Sequence, residues 1–248
     1  MLCAMAVSTY FTEELLSTRL GVFMESIKKL VSSNFPGPIY VVDDGSSVTE
    51  HLEYVRALRD DRIIIVLRDS NGGVSRTKNT CIRLLMESGA KFCFLADDDT
   101  DYRNPDWALR YIEAMVSTGC SHLSVMSRDI YPGVIEEIAQ EPGIAGLDCE
   151  VVQVYLHNGF MLTFTPAIIE AHGYFDIFEG PMGHEHVHWT TKIMGGPTVY
   201  DRLDSDLLVG VLDVLGQGST RGDSFWADNA THKEQAIGLY GRAECVEY

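Results

Sequence analysis

Short apolar runs alternate with longer amphipathic segments over the first 115 residues of the chain. Apolar runs of strand length lie at residues 2–8, 38–42, 63–67 and 91–96. Continuous apolar runs of this length, bounded by glycine, proline and polar residues, are typical of strands that are covered on both faces of a sheet. We therefore predict four buried strands in this part of the chain.

Apolar residues at helical spacing occur between and after these runs. Thr12 is placed to cap the first helix, and Glu13 and Glu14 fall in its first turn, where the helix dipole favours acidic side chains. The apolar positions of this helix are Leu16, Leu20, Phe23, Ile27 and Leu30. A second helix is predicted over residues 75–87. Residues 104–105 (Asn-Pro) predict the cap and first turn of a third helix, which continues to residue 115.

This alternation predicts an α/β fold of Rossmann-like type, in which helices flank a mainly parallel central sheet. In such sheets, ligands bind beyond the carboxyl ends of the strands. The second half of the chain is less regular and richer in glycine, histidine and aromatic residues, and we expect it to form the other wall of a cleft. The glycine-rich residues 216–226 fit a mobile lid and a disordered tail equally well.

Composition narrows the possible partners and the compartment. With 248 residues the chain is long enough for a substantial core, and its net charge of −17 argues against binding to nucleic acid or to an anionic membrane surface. No apolar run approaches the roughly 20 residues of a membrane span, and residues 1–7 read as a strand and not as a signal peptide. The six cysteines are scattered without a CxxC pair, which predicts free thiols and a cytoplasmic location.

Three consecutive aspartates end the fourth apolar run: Asp97, Asp98 and Asp99. Neighbouring carboxylates repel one another, so a fold that holds three of them at the end of a buried strand needs a counter-charge. Mg²⁺ and Mn²⁺ take oxygen ligands, and Mg²⁺ sites commonly combine one or two carboxylates with substrate phosphates. The triplet predicts a divalent-cation site, although taken alone it fits a solvated acidic turn equally well.

Two further polar segments follow the second and third apolar runs. Residues 43–46 (Asp-Asp-Gly-Ser) could accept hydrogen bonds from a base or a ribose, or could form an ordinary turn. Residues 71–79 (Asn-Gly-Gly-Val-Ser-Arg-Thr-Lys-Asn) could bring backbone N–H groups and a helix N-terminus to a phosphate. A plain glycine turn with solvated cations explains the second segment about as well.

In their order and spacing, these segments resemble the GT-A nucleotide-sugar glycosyltransferases, especially the family 2 group. Residues 8–10 (Ser-Thr-Tyr) stand where that family has a Pro-Thr-Tyr-like segment, and residues 43–46 match its Asp-Asp-Gly-Ser. Residues 71–79 resemble its Asn-x-Gly-x-x-x-Ala-Arg-Asn segment with Lys78 in place of the arginine, and residues 97–99 match its DxD motif. The resemblance covers about residues 2–115.

The resemblance implies a metal-dependent, hexosyltransferase-like enzyme with a GT-A fold. Such an enzyme transfers a sugar from a nucleotide diphosphate donor, with UDP-sugars favoured, to a saccharide or other hydroxyl acceptor. The resemblance places the nucleoside at Asp43 and Asp44, and Mg²⁺ or Mn²⁺ at Asp97 and Asp99. The residues implied to bind the nucleotide sugar are Ser8, Tyr10, Asp43, Asp44, Asn71, Gly73, Arg76, Lys78, Asp97 and Asp98. We divide one predicted domain, residues 1–248, into a donor-binding half (1–115), an acceptor-side half (116–215) and a possible lid or tail (216–248).

The second half resembles the family more weakly. Residues 158–164 and 173–176 are similar to its acceptor-side strand and Gly-Gly-Phe-Asp turn, and residues 183–189 stand where it has Gly-x-Glu-Asp-x-Asp. The resemblance implies that Glu185 is the general base that deprotonates the acceptor. His186 and His188 replace the expected aspartates, so His186 is an alternative base and His188 a candidate additional metal ligand.

Other functions remain open for some of the same residues. His184, Glu185 and His188 have the spacing of a zinc hydrolase, but Thr191 breaks the longer metzincin pattern and the upstream segments are left unexplained. Asp101 stands where a haloacid-dehalogenase-like phosphatase needs threonine or valine, and a sugar nucleotidyltransferase would have its glycine loop after the first strand. A catalytically inactive sugar-nucleotide-binding protein also fits, because the altered 185–188 segment could mean lost chemistry.

Overall fold

A six-stranded sheet forms the centre of this computed structural model, which describes residues 2–125, 151–154, 159–177, 189–190, 192–193, 199–202 and 208–212. In spatial order the strands are β3 (Ile63–Leu67), β2 (Ile39–Asp43), β1 (Cys3–Thr9), β4 (Phe92–Asp97), β8 (Met161–Phe164) and β6 (His122–Ser124). The first four strands in this order are parallel, and β8 runs antiparallel to both of its neighbours.

Two small strand pairs accompany the central sheet. Strand β5 (Thr100–Tyr102) pairs antiparallel with β10 (Val209–Val211), and β7 (Val151–Val154) pairs antiparallel with β9 (Val199–Arg202). Beyond β10, the backbone N–H of Leu212 donates to the carbonyl of Asp99 at 2.9 Å. A late segment of the chain therefore lies directly against the loop that contains the aspartate triplet.

Five helices are described: α1 (Glu13–Ser32), α2 (Glu50–Ala57), α3 (Val74–Glu87), α4 (Trp107–Thr118) and α5 (Pro166–His172). Thr12 caps α1 as predicted, since its hydroxyl accepts a hydrogen bond from the backbone N–H of Leu15 at 3.3 Å. Within the described residues, none of the helices combines the length and the apolar character that a membrane span requires.

The sheet separates two hydrophobic cores, because successive side chains of a strand point to opposite faces. On β1, Met5 and Val7 belong to one core and Ala4 and Ala6 to the other. The first core is closed by α1 and α4 through Phe23, Ile27, Trp107 and Tyr111. The second is closed by α3 and α5 through Ile82, Leu85, Ile168 and Ile169. The central strands are thus covered on both faces, as their continuous apolar runs predicted.

The predicted α/β fold with a mainly parallel sheet is confirmed, and the four predicted strands lie within two residues of their expected positions. The predicted start of the third helix is wrong. That helix, α4, begins at Trp107, and Asn104 caps a preceding turn in which its side chain accepts from the N–H of Asp106 at 2.8 Å. The helix ends at Thr118 and is capped by Gly119, which has a positive φ of 72° and donates its N–H to the carbonyl of Met115.

Candidate functional site

The carboxyl ends of three parallel strands bring the predicted motifs together at one edge of the sheet. Strand β1 lies between β2 and β4, so that Thr9 is in register with Asp43, and Ser8 with Asp97. Ser8 and Tyr10 at this edge are both half-buried. Segments that are about 90 residues apart in sequence therefore meet beyond the end of β1.

Asp43, the last residue of β2, is almost fully buried and accepts three hydrogen bonds. The backbone N–H of Ser46 donates to Oδ2 at 3.0 Å, and the Ser46 hydroxyl donates to Oδ1. Nε2 of His51, on α2, lies 3.0 Å from the same Oδ1. Burial alone would raise the pKa of Asp43, but the hydrogen bonds from His51 and Ser46 outweigh it and keep the pKa below its usual value.

Asp44 is equally buried and holds the glycine loop in place. The N–H groups of Gly72 and Gly73 donate to its two carboxylate oxygens at 3.0 and 2.9 Å, and the guanidinium of Arg68 forms an ion pair with it. The neighbouring Gly45 has a φ of +68°, and a Cβ added there would lie 2.5 Å from the backbone of Ser70. The Asp-Asp-Gly turn and the glycine loop are therefore built as one unit.

The predicted site residues in and after the glycine loop differ in their exposure to solvent. Arg76 is exposed, whereas Lys78 is only 1% exposed, with its Nζ 3.1 Å from Oδ1 of Asp97 and 3.2 Å from the carbonyl of Gly159. Asn71 is exposed and accepts from the N–H of Gly73 at 2.9 Å. Lys78 thus connects the end of β4 to the acceptor-side segment, and it is not a solvated cation.

A guanidinium from α1 reaches the other two aspartates of the triplet. Nη2 of Arg19 lies 2.9 Å from Oδ1 of Asp98 and 3.3 Å from Oδ2 of Asp99. The hydroxyl of Thr9 donates to Oδ2 of Asp98 at 2.8 Å, which fixes this buried carboxylate beneath the edge. The three carboxylates of the triplet therefore share two long cationic side chains, Arg19 and Lys78.

The donor set of the triplet fits a hard divalent cation, because it consists of carboxylate oxygens. The side chains of Asp97 and Asp99 keep 37% and 19% of their surface exposed, whereas Asp98 is buried. In the part of the chain that the structure describes, no three His, Cys, Asp or Glu side chains are grouped so that they could hold a metal ion. A cation at this edge would need ligands from a substrate as well, as is usual for Mg²⁺ bound to a diphosphate.

Two segments that were predicted to lie on the acceptor side are among the described residues. Strand β8 lies within the predicted segment 158–164, next to β4, and the carbonyl of Phe160 accepts from the N–H of Asp97 at 2.7 Å. Asn79 forms two hydrogen bonds with the backbone of Phe175, both at 2.9 Å, which fixes the predicted Gly-Tyr-Phe-Asp turn against α3. The remaining acceptor-side candidates lie outside the described residues: His184, Glu185, His186 and His188.

Three residues at this edge were missed by sequence reasoning: Arg19, His51 and Arg68. Each contacts a predicted aspartate from a position with no motif around it. An arginine on an amphipathic helix or at a strand exit is ordinarily solvated, so the sequence contains no local signal for its role. The composition provides the one available signal, because cationic residues are scarce in this chain, with 19 Lys and Arg against 36 Asp and Glu.

A protein of similar sequence comes from a virus. An uncharacterized glycosyltransferase of Acanthamoeba polyphaga mimivirus is 30% identical over 201 residues, which is 81% of this chain and 76% of that protein. No protein-family model matches the chain.

Solved structures share the fold at low sequence identity. The mannosyltransferase PcManGT from Pyrobaculum calidifontis, in complex with GDP-Man and Mn²⁺, has a TM-score of 0.67 and 17% identity over 97% of this chain. The 1–349 fragment of S. aureus TarS has a TM-score of 0.60 and 18% identity over 82% of this chain. The chain spans 65% and 58% of the lengths of these two structures. Together with the parallel sheet, these similarities confirm the GT-A fold that the motifs predicted.

Proposed function

This chain belongs to the glycosyltransferases, and on that premise we propose that it transfers a sugar from a nucleotide diphosphate donor to a hydroxyl group of an acceptor. One observation carries the proposal: the carboxylates Asp43, Asp97 and Asp99 meet at a single sheet edge, beside the glycine loop. A nucleoside, a diphosphate and a cation need this combination of acceptors, backbone N–H groups and oxygen ligands within reach of one another.

The nucleoside would lie at the exit of β2. Asp43 is held as a carboxylate, and the three hydrogen bonds that it accepts from described residues leave about one of its four acceptor positions for a ligand. The neighbouring Asp44 organises the glycine loop and would act on the ligand mainly through Gly72 and Gly73. TarS has been solved with UDP and with UDP-GlcNAc, and PcManGT with GDP-Man, which supports a uridine or guanosine diphosphate donor.

The diphosphate and the cation would lie at the exit of β4. Asp97 and Asp99 would hold Mn²⁺ or Mg²⁺ together with the phosphate oxygens, and the Mn²⁺ in the PcManGT complex supports this assignment. The cation would stabilise the negative charge that the diphosphate gains as the glycosidic bond breaks. Lys78 pairs with Asp97 and Arg19 pairs with Asp98, and the buried Asp98 also accepts a hydrogen bond from Thr9.

The general base is proposed from the sequence alone, at Glu185 or His186, with His188 as a candidate additional metal ligand. A base contributes about 10²–10⁴-fold to turnover, so replacing it should lower turnover by that order and leave donor affinity unchanged. If Glu185→Gln keeps full turnover and His186→Ala loses it, His186 is the general base. If neither substitution lowers turnover, a retaining mechanism becomes the better model. Zinc-dependent peptide cleavage that is lost in His184→Ala and His188→Ala would instead support a zinc hydrolase.

Calorimetry with a panel of nucleotide diphosphate sugars, each with and without MnCl₂, tests the proposed function. We expect tight binding of one donor that depends on the cation, and release of the nucleoside diphosphate when a hydroxyl acceptor is added. Binding without turnover of any saccharide acceptor would identify an inactive sugar-nucleotide-binding protein. Binding of none of the donors would refute the proposal.

Two further expectations stay predictions. The division of residues 1–248 into donor half, acceptor half and lid rests on the motif order. A cytoplasmic location rests on the scattered cysteines. The four cysteines in the described residues, Cys3, Cys81, Cys93 and Cys120, are free thiols.

A further inference from the structure

His51 is a fully buried histidine that lies directly behind Asp43. Its ring stacks on Phe11, with ring centroids 4.5 Å apart and planes at 29°, and it meets the edge of Phe23 at 5.6 Å. Nε2 is 3.0 Å from Oδ1 of Asp43. The two aromatic contacts fix the plane of the imidazole, so its hydrogen bond to the carboxylate has a defined direction.

The surroundings of His51 also define which nitrogen carries the proton. Nδ1 is buried and has no hydrogen-bond partner among the described residues, whereas Nε2 faces a carboxylate that can only accept. An N–H group buried without an acceptor is costly, so the proton of the neutral ring belongs on Nε2. His51 is therefore a donor to Asp43.

The same carboxylate is fixed from its other side by Ser46. The Ser46 hydroxyl accepts from the N–H of Phe11 at 2.7 Å and donates to Oδ1 of Asp43, and the Ser46 N–H donates to Oδ2. Among the described residues, Oδ1 thus has two donors and Oδ2 has one. Since each carboxylate oxygen has about two acceptor positions, the open position lies on Oδ2.

We propose that His51 is a positioning residue that fixes the Asp43 carboxylate so that one acceptor position, on Oδ2, is open to a ring N–H of the donor's nucleobase. The inference rests on the proposed function, because it requires a nucleotide at the exit of β2. Uracil and guanine carry a ring N–H on the edge that pairs in duplexes, whereas cytosine and adenine have a bare nitrogen there. The pairing of His51 with Asp43 would therefore favour uridine and guanosine diphosphates.

A double-mutant cycle tests whether His51 acts through Asp43. The dissociation constants of UDP and GDP, in the presence of MnCl₂, are measured by calorimetry for wild type, His51→Met, His51→Gln, Asp43→Ala and the double variant His51→Met with Asp43→Ala. Methionine preserves apolar volume and removes the donor, whereas glutamine keeps an N–H that can reach the carboxylate.

We expect His51→Met to weaken binding of the preferred nucleotide about tenfold and His51→Gln to recover most of that loss. In the Asp43→Ala background, His51→Met should change the affinity by less than about twofold, because its target is gone. Equal losses in both backgrounds, or wild-type affinity in His51→Met, would overturn the inference. If wild type binds neither UDP nor GDP but binds another nucleotide diphosphate, the inference fails and the proposed transfer survives. If it binds none, both fail.

Imidazole ¹⁵N spectra of the wild-type protein provide a second test that needs no folded His51→Met variant. The resonances of His51 are assigned by their absence in His51→Gln. We expect a proton on Nε2, and a shift of the Nε2–H signal when UDP or GDP saturates the protein. A ring without a proton on Nε2, or a signal that saturating nucleotide leaves unmoved, would overturn the proposal.

Discussion

The two aspartate clusters at the sheet edge are neutralised in different ways. Asp43 and Asp44, at the end of β2, are held chiefly by backbone N–H groups, by Ser46 and by a buried histidine, with one arginine paired to Asp44. The triplet Asp97 to Asp99, after β4, is held chiefly by two long cationic side chains, Arg19 and Lys78, from helices α1 and α3.

The two kinds of partner differ in how readily they leave the carboxylate that they contact. The two glycine N–H groups cannot leave Asp44 unless the loop rearranges, so Asp44 belongs to the framework and fixes the shape of the glycine loop. The side chain of Arg19 is 19% exposed, so it can change rotamer and leave Asp98 and Asp99, and such a partly exposed ion pair is worth little. Asp99 can therefore exchange this cation for another. We expect the loss of Asp44 to cost chiefly stability and the loss of Asp99 to cost chiefly ligand binding.

The largest expected effect is the loss of stability in Asp44→Ala. The substitution leaves the N–H groups of Gly72 and Gly73 and the guanidinium of Arg68 without their partner, which should cost about 3–5 kcal/mol. Urea denaturation measures this. Asp69→Ala, which removes an exposed carboxylate from the same connection, is the matched control and should change stability by less than about 0.5 kcal/mol. A stability within about 1 kcal/mol of wild type in Asp44→Ala would erase the distinction between the clusters.

After β4, Asp99→Ala should act on binding. We expect the affinity for the donor in the presence of Mn²⁺ to fall about 100-fold, while the free energy of unfolding changes by less than about 1 kcal/mol. Calorimetry measures the first quantity and urea denaturation the second. Asp61→Ala, on an exposed turn, removes the same charge and controls for general electrostatics. Donor affinity that is insensitive to Asp99→Ala and to EDTA would show the metal assignment to be wrong.

The pH dependence of stability also contains a contribution from His122, which belongs to neither aspartate cluster. This contribution must be removed before the two clusters can be compared. Burial lowers the pKa of His122 to about 4, and its hydrogen bond to the carbonyl of Thr163 only partly offsets the effect. The unfolded chain, with an ordinary pKa of about 6.5, binds the proton first, so stability falls as pH drops from about 6.5 towards 4. Between about pH 7.5 and pH 5 the loss should be about 2 kcal/mol.

The variant His122→Asn tests this, because its amide can still donate to Thr163 and does not titrate. Thermal or urea unfolding at several pH values should show a weaker decline over this window than in wild type. Any decline that remains in this window belongs to other groups. Asp43 is not among them, because its pKa is lowered in the folded protein and its contribution is lost only at lower pH. An unchanged slope in His122→Asn would show that this histidine is not held neutral.

The smallest expected effect is tighter Mn²⁺ binding in the variant Arg19→Met. Removing the guanidinium from Asp98 and Asp99 should free the triplet for a divalent cation and tighten Mn²⁺ binding about threefold to tenfold. Electron paramagnetic resonance of free Mn²⁺ measures this without any substrate. Arg110→Met, on the exposed side of α4, is the charge-matched control. Weaker Mn²⁺ binding in Arg19→Met would mean that Arg19 shapes the cation site and does not compete for it.

Much of the fold and part of the site could be predicted from the sequence. The four central strands, the cap of α1 at Thr12 and the carboxylates at the strand exits are local features, readable from apolar runs and from the residues that end them. Helix α2 and the start of α4 were not found. Asn104 followed by proline fits both a helix cap and a turn. In the structure, the carbonyl of Pro105 accepts a hydrogen bond from the backbone N–H of Asn34 at 2.8 Å, and a tertiary contact of this kind is not visible in the local sequence.

By itself the sequence determined which edge of the sheet is polar and which residue types stand there, because a parallel strand that is buried on both faces must end abruptly in polar residues. Only the tertiary structure decided the partners. Arg19, His51 and Arg68 come from three different elements, and their pairing with particular aspartates depends on how the helices pack on the sheet. The strand pattern places a carboxylate at the edge of the sheet. Whether that carboxylate contacts a fixed donor or an exchangeable cation depends on the packing of elements that lie far apart in the sequence.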